Sequence, residues 1–138
     1  MKYQIIHIKT IDSGYVGKLS FFEASRDIPY EIKRIYYIHG VPDKSQRGGH
    51  AHIALRQLLF CPYGKIEILL DDGHEKTSVL LDDPSKGLVI GPGLWRDMLW
   101  HQENSVLCVA ASERYNEKDY IRDYEEFLRL VKEGRLHD

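Results

Sequence analysis

Little in this chain points outward to a large charged partner. Nineteen Lys and Arg against twenty-one Asp and Glu leave a formal net charge of -2. There is therefore no basic face for a nucleic acid and no acidic tail. No apolar run approaches the roughly 20 residues a membrane-crossing helix needs. The start, MKYQIIHIKT, has a charge and a short apolar patch but no signal-peptide core. Only two cysteines occur, Cys61 and Cys108, both inside apolar strand-like runs. They read as buried free thiols of a reducing compartment, so a cytoplasmic protein is expected. Linkers, internal repeats and low-complexity segments are also missing.

What is present is a rhythm. Short β-like runs are expected at 4–8, 17–23, 32–38, 50–61, 65–70, 77–81, 87–90, 96–100 and 106–111. Turn residues separate them, among them Val41-Pro42-Asp43, Pro62-Tyr63-Gly64, Asp71-Asp72-Gly73 and Gly91-Pro92-Gly93. With 138 residues and 43% hydrophobic content, this spacing predicts one all-β domain, a sandwich, jelly roll or barrel. The barrel is expected over about 1–112. After it, Asn116 looks like an N-cap with Glu117 and Asp119 in the first turn. Tyr120, Tyr124, Phe127, Leu128 and Val131 then recur at helical spacing up to Gly134, predicting one C-terminal helix over about 117–133.

The stretch QRGGHAHIALRQ (46–57) is the most informative. On one continuous strand, His50 and His52 would share a face, followed by Ala54 and Arg56. Gly48 and Gly49 would let a ligand or another backbone approach closely. Gly-His-x-His, then Gln57 and Gly64, resembles the first signature of the cupin superfamily, and 87–96 resembles the second. That resemblance implies a double-stranded β-helix barrel, a jelly roll, with a metal held by histidines and a carboxylate. Here Gln57 stands at the carboxylate position and Arg96 at that of the third histidine. Glutamine is a weak ligand and arginine a permanent cation, so neither a metal nor another cofactor is expected. Two metal-free imidazoles are suited to taking a proton beside a carbonyl and returning it elsewhere. Arg34, Arg47, Arg56 and Arg96 are candidates for binding an anionic substrate. Arg34 and Tyr36 share one face of their strand, and Tyr15, Tyr36, Tyr37 and Trp95 are candidates for stacking.

Four blocks carry a closer resemblance: IKRIYYI (32–38), RGGHAH (47–52), GLVIGPGLW (87–95) and ASERYNEKDYIRDYEEF (111–127). Together they resemble the dTDP-4-keto-6-deoxyglucose 3,4-ketoisomerases, in the same order along nearly the whole chain. The resemblance implies a metal-independent cupin homodimer acting on a dTDP-linked 4-keto-6-deoxy sugar. That step belongs to the making of 3-amino-3,6-dideoxy sugars for bacterial surface polysaccharides, O-antigens and S-layer glycans. It implies His50 and His52 as acid/base residues, with Arg34, Tyr36, Arg47, Arg96 and Tyr15 as substrate contacts. In that family the Trp-Arg form seen at Trp95-Arg96, with an early-turn tyrosine, goes with the gluco-configured product. The alternatives are a galacto-configured product, a nucleotide-sugar 3,5-epimerase, a non-catalytic sugar-nucleotide-binding cupin and a metal-dependent cupin.

Overall fold

The computed structural model describes residues 1–136. Its strands are β1 (Tyr3–His7), β2 (Lys9–Asp12), β3 (Lys18–Phe21), β4 (Arg34–Ile38), β5 (Gln46–His52), β6 (Gln57–Tyr63), β7 (Ile66–Asp71), β8 (Lys76–Leu81), β9 (Lys86–Ile90), β10 (Trp95–Trp100), β11 (Val106–Ala111) and β12 (Tyr120–Ile121). One helix, α1 (Tyr124–Lys132), follows. The strands form two five-stranded antiparallel sheets, ordered β1-β9-β6-β11-β4 and β12-β5-β10-β7-β8, with β2 and β3 as a separate hairpin. This is the expected all-β, cupin-type jelly roll with a short C-terminal helix.

The two sheets meet over apolar side chains that alternate along their strands. Leu59 and Cys61 from β6 face Ile66, Ile68 and Leu70 from β7, with Leu88, Ile90, Met98, Trp100, Leu107 and Val109 closing the layer. The Trp100 indole N–H donates to the Ser105 carbonyl at 2.9 Å, so even this buried polar atom is satisfied. Cys61 is buried and Cys108 half-buried, and both are free. This apolar filling occupies most of the barrel and leaves the polar residues of β4 and β5 to one end.

Two sequence expectations are corrected. The single strand over 50–61 is two strands, β5 and β6, joined by a turn through Ile53–Arg56. Strand alternation therefore stops at His52, and Ala54 and Arg56 do not continue the histidine face. The helix expected over 117–133 begins only at Tyr124. Asn116 caps a single 3-10 turn, Glu117–Asp119, its side chain accepting from the Lys118 amide. The α1 cap is Asp123, whose carboxylate accepts from the Glu125 and Glu126 amides. Between these caps, Tyr120 and Ile121 are extended and pair with His52 and Ala51. Phe127 and Leu130 of α1 then bury against Ala51, Trp95 and Ile121.

Gly48 shows why glycine is needed in β5. Its φ is +92°, and a Cβ there would lie 2.8 Å from the Arg96 carbonyl oxygen. The pairing of β5 with β10 shifts register between Arg96 and Asp97 at this point. The close approach the glycines allow at Gly48 is thus that of a neighbouring backbone.

Candidate active site

A cleft of about 270 Å³ opens at the polar end of the barrel, lined by Arg34, Tyr36, Arg47, His50, Tyr120 and Arg122 among others. Arg34 and Tyr36 reach it from alternate positions of β4, Arg47 and His50 from β5. A larger depression of about 870 Å³ is lined by Glu31, Lys33, Glu113, Arg114 and Asp119 but by neither imidazole. Its mixed charges offer no proton acceptor poised like a neutral histidine, so the smaller cleft is the candidate site.

His50 is half-buried at the cleft wall, and His52 lies wholly buried behind it with ring centroids 5.0 Å apart. Tyr120 packs against both rings, at 5.2 and 4.4 Å. The Nδ1 of His52 is 2.9 Å from Asp119 Oδ2. The other carboxylate oxygen of Asp119 accepts the Ala54 amide at 2.8 Å, which anchors the carboxylate to the β5–β6 turn. A carboxylate can only accept, so Nδ1 of His52 carries the proton and Nε2 presents a lone pair. That Nε2 is buried and has no hydrogen-bond partner among the described residues.

The electrostatics keep both rings neutral. Burial, reinforced by the Arg96 guanidinium, pushes His50 down to about 4. The same causes, burial first and Arg96 second, hold His52 well below the usual imidazole range. Asp119 opposes this by favouring the imidazolium, but a ring with no water contact and a cation nearby remains uncharged at neutral pH.

Arg96 stands differently from the other predicted arginines. It is fully buried and does not line the cleft. One Nη donates to Gln57 Oε1, and Nη2 and Nε donate to the Leu94 carbonyl at 2.8 and 3.3 Å. Gln57 Nε2 in turn donates to the Tyr36 hydroxyl at 2.9 Å. The geometry thus makes Arg96 a floor beneath the cleft, where the sequence suggested a direct substrate contact. Tyr15 is also not brought in: it is wholly exposed, between β2 and β3. Of the other residues considered, Arg56 and Tyr37 lie outside the cleft, and Trp95 packs on Tyr124 and Phe127 of α1.

Three site residues escaped sequence reasoning: Asp119, Tyr120 and Arg122. Arg122 lies over the Tyr120 ring at 4.3 Å and bonds Glu117 through Nε and Nη2 at 2.7 and 3.1 Å. All three were hidden by placing the segment in a helix. The available signal was a second N-cap, Asp123, followed by Glu125 and Glu126, which would have freed 117–122 from the helix.

Comparison with known proteins bears on this geometry. The family model described as FdtA: WxcM-like, C-terminal matches residues 1–132. The chain belongs to the FdtA family. A TDP-4-oxo-6-deoxy-alpha-D-glucose-3,4-oxoisomerase of Aneurinibacillus thermoaerophilus is 39% identical over 136 residues, covering 99% of this chain and 97% of that protein. A 3,4-ketoisomerase from Helicobacter canadensis superposes with a TM-score of 0.91 at 43% identity, covering 96% of this chain and 98% of the other. A histidine-to-asparagine variant of the 3,4-ketoisomerase QdtA from Thermoanaerobacterium thermosaccharolyticum was solved with TDP-4-keto-6-deoxyglucose. It matches with a TM-score of 0.91 at 41% identity, over 95% of this chain and 94% of its own. The jelly roll described above is therefore the FdtA-family fold. No helix of the described residues is long and apolar enough to cross a membrane.

Proposed function

We propose that this chain is a TDP-sugar 3,4-ketoisomerase, converting dTDP-4-keto-6-deoxy-D-glucose to the gluco-configured dTDP-3-keto-6-deoxy-D-glucose. The observation that carries the reading is the neutral imidazole pair: His50 at the cleft wall, His52 behind it with a fixed tautomer. Neutral imidazole is the form that can accept a proton, and the hydrogen on C3, beside the C4 ketone, is acidified by that carbonyl. His50 takes it. The electron pair moves into the C3–C4 bond, and the C4 oxygen gains the charge of an enediolate. Transfer of the O3 hydroxyl proton to the C4 oxygen and delivery of a proton to C4 complete the shift, leaving a ketone at C3 and a hydroxyl at C4 with no net change in oxidation. His52, held by Asp119 behind His50, is the second group of the acid/base pair, and the gluco product requires the C4 proton to arrive on the sugar face opposite His50.

Arg34, Arg47 and Arg122 converge on the same cleft. The guanidinium groups of Arg34 and Arg47 match the charge and forked geometry of a diphosphate, while the fork of Arg122 is engaged by Glu117. The Gln57 and Arg96 positions support chemistry through the imidazoles themselves, because Gln57 is committed to Arg96 and Tyr36. Arg96 also supports the gluco product, through the Trp95-Arg96 pattern of the family resemblance. Removal of the C3 hydrogen and delivery to C4 on the same sugar face give the galacto product; opposite-face delivery gives gluco.

A homodimer belongs to the same proposal. Ile11, Val16 and Leu19 on the hairpin, and Ile35 and Tyr37 on edge strand β4, are exposed apolar side chains of the kind a partner covers. Tyr15, on that hairpin, is then available to a partner's cleft.

Incubation with dTDP-4-keto-6-deoxyglucose in deuterated buffer tests the reaction. A ketoisomerase moves the keto group and places deuterium at C4. Label at C3 and C5 with the ketone still at C4 would mark an epimerase. Tight TDP binding without turnover would mark a non-catalytic binder.

A further inference from the structure

The hydrogen bonds beneath the cleft run in one forced direction. Guanidinium is a donor only, so the side of the Gln57 amide that meets Arg96 Nη1 has to be its oxygen. The amide nitrogen then faces Tyr36, 2.9 Å from its hydroxyl. An NH₂ group has no lone pair to offer, so the Tyr36 oxygen accepts. Its own hydrogen is left over. Among the described residues the Tyr36 hydroxyl takes part in the Gln57 hydrogen bond and makes no donor contact, and Tyr36 lines the cleft with His50. Gln57 and Arg96 are both wholly buried, and Arg96 is pinned by the Leu94 carbonyl, so the amide has no room to reverse the order.

Resting on the ketoisomerase reading, we infer that Tyr36 donates its hydroxyl hydrogen to the sugar oxygen that becomes negative in the enediolate, aimed there by Gln57 and Arg96. The residues standing at the carboxylate and third-histidine positions of a metal-binding cupin thus form a relay with a single polarity. Its buried positive end is Arg96 and its donor end is Tyr36. A phenol already accepting an N–H bond is a stronger donor through its own hydrogen. Burial raises the Tyr36 hydroxyl above its ordinary range, so the hydrogen is present throughout the working pH range. Tyr36 is the catalytic group in this arrangement; Gln57 and Arg96 are positioning residues.

Gln57→Glu tests the direction. It conserves size but replaces the NH₂ by an acceptor, so the Tyr36 hydrogen turns inward to the new carboxylate and is withdrawn from the cleft. Assayed with a chelator present, Gln57→Glu is expected to lose on the order of 10²-fold in kcat, the usual cost of one oxyanion donor. Affinity for TDP, measured by calorimetry, should stay within twofold of wild type (about 0.4 kcal/mol by RT ln 2). Tyr36→Phe should show the same split, and the double variant should be no slower than Tyr36→Phe alone, because both changes remove one hydrogen bond. A purely structural role for Gln57 would instead lower the melting temperature and weaken TDP binding together, with losses that multiply. Tyr36→Phe keeps the test decisive if Gln57→Glu does not fold. Full kcat in Tyr36→Phe, or multiplying losses, would overturn the relay while leaving the ketoisomerase reading intact. A wild-type protein that fails to turn over the sugar would overturn both.

Discussion

At the residue scale, the site works through what each imidazole nitrogen can and cannot do. The His52 tautomer follows from a carboxylate that can only accept, and its orphaned Nε2 follows from that tautomer. His50→Asn or His52→Asn should each cut kcat by on the order of 10²–10⁴, with circular dichroism and TDP affinity largely unchanged. Near-normal turnover in both would remove the acid/base assignment. Asp119→Asn should lower kcat by a smaller factor, about 10-fold or more, and weaken the turn at Ala54. Its amide can accept from Nδ1 only when correctly oriented, and it loses the carboxylate's support for a proton on His52.

The pH dependence has a definite sign. His50 in the folded protein sits at about 4, below its unfolded value near 6.5. With neutral His50 as the proposed base, kcat/KM should stay level from pH 7 down to about 5 and fall only below that. Stability behaves in the same window: between about 6.5 and 4 the unfolded chain binds the extra proton, so stability falls as the solution is acidified. A plain surface histidine as base would instead give a kinetic pKa near 6.5.

At the element scale, the placement of β12 decides the site. Asp119 and Tyr120 reach His52 because the chain runs extended along β5 before α1 starts. Asp123 fixes that start. Asp123→Ala should cost about 1 kcal/mol, measured by chemical denaturation. Phe127→Ala, which empties the contact between α1 and Trp95, should cost about 3–5 kcal/mol. If Phe127→Ala destabilised by less than 1 kcal/mol, α1 would not be holding β12 in place.

This element also marks how far the sequence could be read. The strand rhythm and turn residues were legible because apolar alternation and Gly-Pro punctuation are local signals. The histidine pair was legible because its two members lie two residues apart on one strand. Asp119 was not, since Asn116 and Asp123 both offer an N-cap followed by acidic residues, and its contact with His52, sixty-seven residues away, leaves no local mark. Arg96 was visible as a departure from a metal site. Its burial under the cleft was not, because it depends on Gln57, thirty-nine residues away, and on the bulge beside Gly48.

At the scale of the whole molecule, an apolar barrel holds a small polar end rigid, with a buried cation beneath two neutral imidazoles. The architecture buries the fixed charge of Arg96 beneath the cleft, and the proposed proton transfer takes place above it. The proposed homodimer should sediment at twice the 16.1 kDa of the chain. Ile35→Glu combined with Tyr37→Glu, on the exposed face of β4, should shift it toward monomer without unfolding the barrel. A monomer at micromolar concentration in the unmodified protein would refute the dimer.

The most direct test of the central claim is the NMR spectrum of the sugar released from dTDP-4-keto-6-deoxyglucose in deuterated buffer. The predicted result is a 3-keto sugar carrying deuterium at C4, with an equatorial C4 hydroxyl and full turnover in the presence of chelator. An unchanged 4-keto sugar, or one labelled only at C3 and C5, would contradict the account.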